Sequence, residues 1–583
     1  MLDEIIRLLK VERVDDLPVV LAQVYQMQIP ALLDQCYPTH GHWKGDLSFG
    51  DVVAVWLTLV VSEGDHCLAH VQPWVEAHLD TLAACLGKPV RPLDFSDDRL
   101  ADMLDRLADA ATWAELETAL NGAVLRVYAV DGDRVRLDST SAKAYAGVSE
   151  GGLFQFGQSK DHRPDLPQVK ISLSALDALG LPLTTTVVSG NGTDDPLYVP
   201  EIQRVQATLG AGGKTYIGDS KMGALATRAW IARSGDYYLC PLGGRQMPED
   251  TLDALLAPVF GGAQTLEPVY EPEPDPDPTT PPRLIAEGYA VAVDLAATVE
   301  GQPVTWREQR LVVRSVAQAT RQAQALDARL QRAVADVHRL NERKQGKKIL
   351  EAPALTAAAE QILAAQRVVG LIHLDLETTT HVIPQRRYGA RPATRRVQHQ
   401  STIRARIDPQ AVAAAQQRLG WRVYATNHAT LTVETAVHAY RGQYLIERSF
   451  GRLKGRALAI TPLFLQADAR VAGLVRLLSL ALRVLVLVEF VARRHLTTTQ
   501  DQITGLYPGQ AMRATASPTA ELLLRAFRGI SLSVVEITGQ VRALLSPLNA
   551  LQHRVLELLG WSTRLYERLM AHFLKLALIL SEP

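Results

Sequence analysis

RVRLDST, residues 134–140, is the stretch that decides the fold, because it begins a series of short β-rich runs after the helical residues 1 to about 122. Two further runs follow, QVKISLSALD at 168–177 and LPLTTTVVSG at 181–190, and turn residues separate all three. Next come the helix DDPLYVPEIQRVQATL (194–209), the strand KTYIGDSKM (214–222), the helix ALATRAWIARSG (224–235) and the strand DYYLCPLGG (236–244). Three adjacent strands followed by alternating helices and strands predict a mixed sheet covered by helices.

The composition is that of a globular protein with several domains. The chain has 583 residues, of which 47% are hydrophobic and 21% are charged, and this length exceeds what one hydrophobic core usually holds. Lys and Arg number 61 against 62 Asp and Glu, for a net charge of −1. A uniformly basic protein is therefore excluded, although a local basic stripe remains compatible with a neutral total.

Cysteine usage and hydropathy predict a cytoplasmic protein. The four cysteines are scattered, which favours a reducing compartment over a disulfide scaffold. The start, MLDEIIRLLKVERVDD, contains acidic residues and no long apolar run, so we expect no signal peptide. The most apolar stretch, Leu474 to Val491, contains Arg476 and Arg483. We therefore interpret it as a buried helix and not as a membrane span.

Beyond residue 244 the pattern predicts an additional region before the chain returns to the sheet. EPVYEPEPDPDPTTPPR, residues 267–283, is acidic and rich in proline, so we expect an extended linker or a surface loop. Two antiparallel strands and two helices that pair as a hairpin follow, at 286–299, 304–315, 316–343 and 353–368. A strand at 422–427 and a helix from about Val433 to Lys454 come next, and the remainder reads as mostly apolar helix.

Three carboxylates are candidates for one site. Asp138 ends RVRLDST, Asp219 ends YIGDSKM, and Glu447 lies on the late helix AYRGQYLIERSFGRLKG. Ligands collect at the carboxyl ends of strands in open α/β sheets, and three oxygen donors suit Mg²⁺ or Mn²⁺ and two-metal phosphodiester chemistry. The alternative is that each acid is an ordinary cap or turn residue.

The late helix carries a second signal. Tyr440, Glu447 and Lys454 are seven residues apart, which places them in one stripe of a continuous helix. The stripe is either the wall of an active site or a solvated face beside an apolar one.

This stripe resembles the Tyr-Arg-Glu-Lys signature of DDE insertion-sequence transposases of the insertion-sequence-four superfamily, long-insertion branch. Gln443 stands where the signature has Arg, and the neighbouring arginines are Arg441 and Arg448. The resemblance covers about residues 30 to 560. Its other motifs are LDSTSAKAY (137–145), SKDHRPDLPQVK (159–170), GLPL (180–183), SGNGTDD (189–195), IGDSKM (217–222) and TNHATLTVETAVHAYRGQYLIERSFGRLKG (426–455).

The resemblance implies an α/β RNase H-like core, with a mixed sheet and flanking helices, interrupted by an inserted α+β lobe. The implied domains are a helical N-terminal domain for DNA binding or dimerisation (1–122), the core in two parts (123–244 and 422–500), the inserted lobe (245–421) and a helical C-terminal domain (501–583). Asp138, Asp219 and Glu447 would hold two Mg²⁺ ions, for which Mn²⁺ can substitute, and Tyr440, Lys454 and Arg448 would contact DNA.

The implied activity is that of a DNA transposase in a bacterial cytoplasm, associated with the nucleoid. It would act as a homodimer on double-stranded DNA, binding the terminal inverted repeats of its element, cleaving them and joining the 3′ ends to target DNA. Two alternatives remain: a catalytically silent DNA-binding regulator, and an RNase H-like nuclease that cuts without strand transfer.

Basic segments supply further DNA-binding candidates. Seven arginines and no acids lie between Arg386 and Arg406, and Arg suits phosphate recognition, although a solvated loop has the same composition. The candidates in this segment are Arg386, Arg387, Arg391, Arg395 and Arg396. A second cluster contains Arg343, Lys344, Lys347 and Lys348. The loop SKDHRPDL, residues 159–166, either approaches the scissile strand or is held by its own ion pairs.

Overall fold

The structure is a computed structural model that describes residues 6–39, 41, 43–177, 179–272, 281–342, 351–385, 394–537 and 540–580. The chain divides into two compact units. Unit 1 comprises Met1–Cys240, Leu295–Trp306 and Ala439–Pro583, and unit 2 comprises Pro241–Asp294 and Arg307–His438.

Unit 1 begins with one strand and seven helices. These are β1 (Ile6–Arg13), α1 (Leu17–Gln26), α2 (Ile29–Cys36), α3 (Phe49–Glu63), α4 (Leu68–Ala77), α5 (Leu79–Leu86), α6 (Asp97–Leu107) and α7 (Ala110–Tyr128). The prediction of helices for residues 1 to about 122 therefore missed β1, which pairs with a strand near the other end of the chain. A short strand with a distant partner carries no local turn signal that a sequence reading can use.

The predicted strands and helices of the core follow in the expected order. They are β2 (Arg134–Lys143), β3 (Gln168–Leu176), β4 (Leu181–Ser189), α8 (Tyr198–Leu209), β5 (Thr215–Ile217), α9 (Leu225–Arg233) and β6 (Tyr237–Pro241). In the sheet their order is β4-β3-β2-β5-β6. The β2–β3 and β3–β4 pairs are antiparallel, whereas β2–β5 and β5–β6 are parallel. This mixed sheet confirms the RNase H-like fold class expected from the sequence.

Unit 2 contains the elements between the two halves of the core. They are α10 (Glu249–Phe260), β7 (Glu267–Tyr270), β8 (Leu284–Val299), β9 (Gln302–Ser315), α11 (Val316–Arg339), α12 (Ala352–Ala365), β10 (Ile372–Gln385), β11 (Thr394–Ile407), α13 (Pro409–Gln417), β12 (Trp421–Thr426) and α14 (Val433–Arg441). The ends of β8, β9 and α14 extend into unit 1. Residues 273–280 of the proline-rich segment lie outside the described residues.

The described part of the Arg-rich segment, from residue 394 onward, lies on a strand of a long antiparallel pair that the sequence did not predict. β10 and β11 pair antiparallel from Ile372↔Ile407 to Gln385↔Thr394. The base of the hairpin packs through Ile372 and Ile403 on the core formed by α11 and α12. Farther out, Val382 and Val397 are 55% and 53% exposed, so the outer part of the hairpin lacks the buried face that makes a strand recognisable from sequence.

The chain ends in unit 1 with α15 (Tyr444–Lys454), α16 (Asp468–Thr499), α17 (Ala520–Arg525), β13 (Ser531–Ile537), β14 (Gln540–Leu545), α18 (Ala550–Leu558) and α19 (Arg564–Leu580). The C-terminal part is therefore not all helical, because β13 pairs with β14 and with β1. The helix predicted from Val433 to Lys454 is two helices, α14 and α15, with a break at Gly442 and Gln443.

The apolar helix α16 lies in the core of unit 1, where it packs against α3, α6 and β4. Among the described residues it is the one helix that is long and apolar enough to cross a membrane, and 94% of its most apolar window is buried in the protein. The bent pair α3 and α4 would add a second candidate only if it were counted as one span. The core helix of a globular protein meets the same criteria.

Candidate active site

Asp138 and Asp219 lie at the same level of adjacent strands. The parallel ladder pairs Arg134, Val135 and Arg136 with Thr215, Tyr216 and Ile217. β5 ends at Ile217, and two more residues along each chain bring Asp138 opposite Asp219. The prediction that Asp138 ends its own strand is wrong, since β2 continues to Lys143. The neighbouring strand is the one that ends, and this leaves the Asp138 side chain open towards Asp219.

A buried tyrosine holds Asp219. The hydroxyl of Tyr198, at the start of α8, donates a hydrogen bond to Asp219 Oδ1 at 2.6 Å, and the backbone N–H of Lys221 donates to the same oxygen at 2.8 Å. Burial and the negative charge of Asp219 raise the pKa of Tyr198 well above its ordinary value, so the phenol stays a hydrogen-bond donor. The sequence contained no signal for this contact, because a tyrosine at a helix start resembles any core residue.

Asp138 is mostly buried and has a cation beside it. Its side chain is 18% exposed, and its Oδ1 lies 3.4 Å from Lys160 Nζ. The Ser139 backbone N–H donates to the same oxygen at 2.7 Å. Burial raises the pKa of Asp138 and the charge of Asp219 adds to the rise, whereas Lys160 and the Ser139 N–H oppose it. The carboxylate pair is therefore electrostatically coupled and favours a neighbouring cation.

Asp194 is a third acid near this pair. The Ser139 hydroxyl donates to Asp194 Oδ1 at 2.8 Å, and Lys170 Nζ lies 2.8 Å from the same oxygen. Burial alone would raise the pKa of Asp194, but the hydrogen bonds from Lys170 and Ser139 hold it below its ordinary value. Asp194 was not among the candidate carboxylates predicted from the sequence, although it lies in the motif SGNGTDD.

Helix α15 runs along the face of β2 that carries Asp138. Residues 136, 138 and 140 of a strand point to one face. The Arg136 guanidinium donates to the carbonyl of Ala439, in the last turn of α14, and Lys454 Nζ, at the end of α15, lies 3.3 Å from Thr140 Oγ1. The chain from Ala439 to Lys454 thus contacts β2 on either side of Asp138.

Two glycines permit this close packing. A Cβ on Gly442 would lie 2.4 Å from an Arg136 nitrogen, and one on Gly180 would lie 2.9 Å from the Leu445 carbonyl oxygen. Gly180, in the turn between β3 and β4, also has a φ of +69°, which side chains rarely adopt. The Ser449 hydroxyl donates to the Gly180 carbonyl at 2.9 Å and fixes α15 over this turn.

Glu447 lies on α15 between these anchor points, about 10 Å from Lys454 along the helix axis. Its side chain is exposed. Among the described residues no group of three or more His, Cys, Asp or Glu side chains is arranged to hold a metal ion. The structure thus places Asp138 and Asp219 side by side and Glu447 on α15, which packs on β2. The three carboxylates do not form the single cluster that was predicted.

The other residues of the predicted helical stripe have separate environments. Tyr440 is half-buried and lies on α14, on the other side of the helix break from Glu447. Lys454 forms an ion pair with Asp161 of the 159–166 loop. The side-chain oxygen of Gln443, at the signature's Arg position, is buried without a hydrogen-bond partner in the described part of the chain.

Arg448 is engaged inside unit 1. Its guanidinium makes two parallel hydrogen bonds of 2.6 Å to the carboxylate of Glu489 on α16. Arg452 and Arg493 contact the same carboxylate, and Arg452 also reaches Glu521 at 2.8 Å. A contact of Arg448 with DNA stays a prediction, and it would have to use donors that Glu489 leaves free or replace this bidentate ion pair.

The basic candidates of unit 2 are described only in part. Arg386, Arg387 and Arg391 lie outside the described residues, as do Arg343, Lys344, Lys347 and Lys348. Arg395 and Arg396 lie on β11, where Arg395 is exposed and the side chain of Arg396 is not described. Toward the base of the hairpin, Arg404 and Arg406 lie 3.6 and 3.8 Å from Glu377 and Asp375. The described part of the segment is therefore a strand, β11.

The donors at the centre of the site suit a hard divalent cation. Asp138 and Asp219 offer carboxylate oxygens at the same level of the sheet. The two negative charges repel each other, and a bound cation would relieve this repulsion. The Lys160 ammonium beside Asp138 shows that a positive charge is accommodated at this position.

Comparison with known proteins identifies one related family. A family model described as transposase DDE domain matches residues 122–483. The match spans more than half of the chain and includes Asp138, Asp219, Glu447 and Lys454. No curated protein matches the chain.

Proposed function

This chain belongs to the transposase DDE domain family, and we propose that it binds the ends of an insertion sequence, cleaves the DNA there and joins the 3′ ends to target DNA. The observation that carries this proposal is the placement of Asp138 and Asp219 at one level of a mixed sheet, just past the end of β5. The spacing of Tyr440, Glu447 and Lys454 supports assignment to the insertion-sequence-four superfamily, long-insertion branch.

Asp138, Asp219 and Glu447 would hold two Mg²⁺ ions, or Mn²⁺ in their place. When bound, such ions supply activation of the attacking oxygen and stabilisation of the leaving oxygen in phosphodiester chemistry. Asp138 and Asp219 already lie at one level of the sheet, and closure of the site would bring the exposed Glu447 side chain from α15 towards Asp138. Tyr198 keeps one oxygen of Asp219 fixed, which leaves its second oxygen for the ion.

The DNA backbone would meet cationic groups in both units. Lys454 lies at the end of α15 beside β2, close to the carboxylate pair, and would contact phosphate there. The outer part of the β10–β11 hairpin would contact the backbone through its arginines. Function as a homodimer in the cytoplasm is part of the same proposal, because two element ends are joined in one reaction.

Incubation of the full chain with duplexes carrying the flanking inverted repeats and Mg²⁺ tests the proposal. Gel analysis should show cleavage at the repeat ends and strand-transfer products with a target plasmid. Binding without cleavage would instead support the DNA-binding regulator, and cleavage without joined products would support the nuclease.

Tyr198→Phe should slow cleavage about tenfold at limiting Mg²⁺. The substitution removes the hydroxyl that holds Asp219, and hydrogen bonds to charged groups contribute about 1.5–3 kcal/mol. The ring and its packing remain, so the melting temperature should hardly change. Cleavage rates measured across a Mg²⁺ titration test this prediction. Excess Mg²⁺ should restore part of the lost rate, because the variant keeps the Asp219 carboxylate and only loses the hydrogen bond that fixes its orientation.

Tyr216→Phe is the matched control. Tyr216 is a fully buried tyrosine on β5, three residues before Asp219, and its hydroxyl has no hydrogen-bond partner among the described residues. Loss of this hydroxyl should leave the dependence of the cleavage rate on Mg²⁺ unchanged. Equal effects of the two substitutions would mean that Tyr198 acts through general packing and not through Asp219.

Replacing Arg386, Arg391 and Arg395 together by Gln should weaken DNA binding for all sequences and flatten its salt dependence. Each lost phosphate contact lowers the slope of log K against log salt by about 0.9, so the three replacements remove up to about 2.7. Discrimination between correct and scrambled ends should change little, since phosphate contacts carry no sequence information. Fluorescence anisotropy across a salt series measures both quantities.

The double variant with Arg404 and Arg406 replaced by Gln provides the comparison. These two arginines share the strand β11 but have Glu377 and Asp375 beside them, so their replacement should change the slope less per residue. If the triple variant keeps the wild-type slope, the outer hairpin is not on the DNA path.

A further inference from the structure

The loop at residues 159–166 meets the candidate active site through two adjacent residues of opposite charge. Lys160 Nζ lies 3.4 Å from Asp138 Oδ1 and 3.3 Å from Ser139 Oγ, and it donates to the Ser139 carbonyl. Asp161 forms an ion pair with Lys454. Both alternatives for this loop hold in part, because Lys160 and Asp161 pair with residues of the site whereas Arg163 and Asp165 pair within the loop.

Each of these contacts places a charge where a ligand of the same sign is expected. The Lys160 ammonium lies beside the carboxylate that would bind a metal cation. The Asp161 carboxylate lies against the lysine that would bind a DNA phosphate. We propose that Lys160 and Asp161 are internal counter-ions of the active site, which a divalent cation and a DNA phosphate displace respectively. This inference rests on the proposed function.

The anchoring of the loop allows ligands to displace its two charged side chains while the main chain stays in place. The Lys160 backbone N–H donates to Ser141 Oγ at 2.9 Å, so the main chain stays attached to β2 while the side chain moves. That side chain is 42% exposed, and an ion pair this accessible to water is weak enough to be replaced. Asp161 is more enclosed, with a side chain that is 9% exposed. Its Oδ2 accepts the Lys143 N–H at 3.2 Å.

The consequence is a site whose metal-binding and phosphate-binding groups are already partly neutralised before either ligand arrives. A cation entering beside Asp138 replaces the ammonium of Lys160, and a phosphate arriving at Lys454 replaces the carboxylate of Asp161. Without ligands the same two residues relieve the electrostatic cost of the Asp138–Asp219 pair and of a partly buried lysine. The counter-ions therefore reduce the affinity for each ligand by the free energy of the ion pair that must break.

The first test measures Mn²⁺ binding to the DNA-free full chain by the loss of the free-ion EPR signal. Lys160→Gln should bind Mn²⁺ about three- to tenfold more tightly than the wild type, since no ammonium competes for Asp138. Arg163→Gln is the control, because Arg163 pairs with Asp165 within the loop, at 2.6 and 2.8 Å. Its Mn²⁺ affinity should match the wild type. Unchanged or weaker binding by Lys160→Gln overturns the role of Lys160.

Asp138→Asn separates this inference from the proposed function. If Asp138→Asn loses Mn²⁺ binding while Lys160→Gln keeps the wild-type affinity, the proposed metal site stands and only the counter-ion role of Lys160 is contradicted. Wild-type Mn²⁺ binding by Asp138→Asn would contradict the proposed metal site and the inference with it.

The second test measures binding of a mixed-sequence DNA duplex by anisotropy without metal. Asp161→Asn should bind the duplex about threefold more tightly than the wild type, because Lys454 no longer has to break an ion pair with Asp161 before it contacts a phosphate. The gain should vanish in a Lys454→Gln background. Asp161→Ser serves as a second variant, and melting curves establish that each variant is folded. Weaker or unchanged DNA binding by both Asp161 variants would show that Asp161 only positions Lys454.

Discussion

Asp219→Asn is expected to lower the rate of DNA cleavage roughly a thousandfold or more, because metal-assisted phosphodiester chemistry depends on the charge of its carboxylates. Asparagine keeps the shape of the side chain and can still accept the Tyr198 hydrogen bond, so the fold should be retained. Binding of DNA ends should stay within about twofold of the wild type, since backbone affinity comes from cationic groups. Single-turnover cleavage and anisotropy on the same duplex measure the two effects. Asp138→Asn should behave in the same way.

Asp133→Asn is the control for this series. Asp133 precedes β2 at its opposite end, its side chain is 81% exposed, and it lies 3.9 Å from Lys214. The variant should cleave at the wild-type rate. If Asp219→Asn also cleaves at that rate, the carboxylate pair is not the catalytic centre.

Glu447→Gln distinguishes two versions of the site. Loss of cleavage comparable to that of Asp219→Asn would support movement of the exposed Glu447 side chain into the site. Normal cleavage by Glu447→Gln, beside inactive Asp138 and Asp219 variants, would point to Asp194 as the third acid. Asp194 already contacts Ser139, the neighbour of Asp138.

The core of the fold was predictable because its strands carry local signals. β2, β3 and β4 are short, rich in β-branched residues and separated by turns, and the helices α8 and α9 end at glycine-containing turns. Chain order then limited the possible topologies to a few. The same reasoning expected Asp138 and Asp219 at strand ends, which is right for Asp219 after β5 and wrong for Asp138, since β2 continues to Lys143.

The missed features depend on contacts between residues far apart in sequence. Periodicity predicted one helix through residues 433–454, but a helix that stayed continuous there would have to accommodate the Arg136 guanidinium, which packs on Gly442 and bonds to the Ala439 carbonyl. The Tyr198–Asp219 hydrogen bond joins residues 21 positions apart. The sheet of β1, β13 and β14 joins the two ends of the chain. None of these contacts leaves a local pattern in the sequence.

Arg448 shows the same limit for charged residues. Its position beside the signature suggested a DNA contact, yet Glu489, 41 residues later, binds it with both oxygens. The sequence carries no sign of this ion pair, because its two members lie on different helices, α15 and α16.

Glu117→Ala is expected to destabilise unit 1 by about 3–5 kcal/mol, because it leaves the buried Arg483 guanidinium without a counter-charge. Glu117, on α7, accepts a hydrogen bond from Arg483 of α16 on one carboxylate oxygen, at 2.9 Å, and one from Arg204 of α8 on the other. Arg483 is 1% exposed, and its remaining donors reach the carbonyls of Pro182 and Leu183 and the hydroxyl of Ser479. The glutamate thus joins three elements around the core of unit 1.

Thermal unfolding followed by circular dichroism measures this effect, and the melting temperature should fall by roughly 5 °C or more. Glu115→Ala is the control, because Glu115 is exposed on the same helix and its loss should change stability by less than about 0.5 kcal/mol. Burial lowers the pKa of Arg483 while the charge of Glu117 opposes this shift, so removing Glu117 leaves the full desolvation cost of the guanidinium. A melting temperature of Glu117→Ala equal to that of Glu115→Ala would mean that water reaches Arg483 in the core, and the arginine would then no longer argue that α16 is an internal helix.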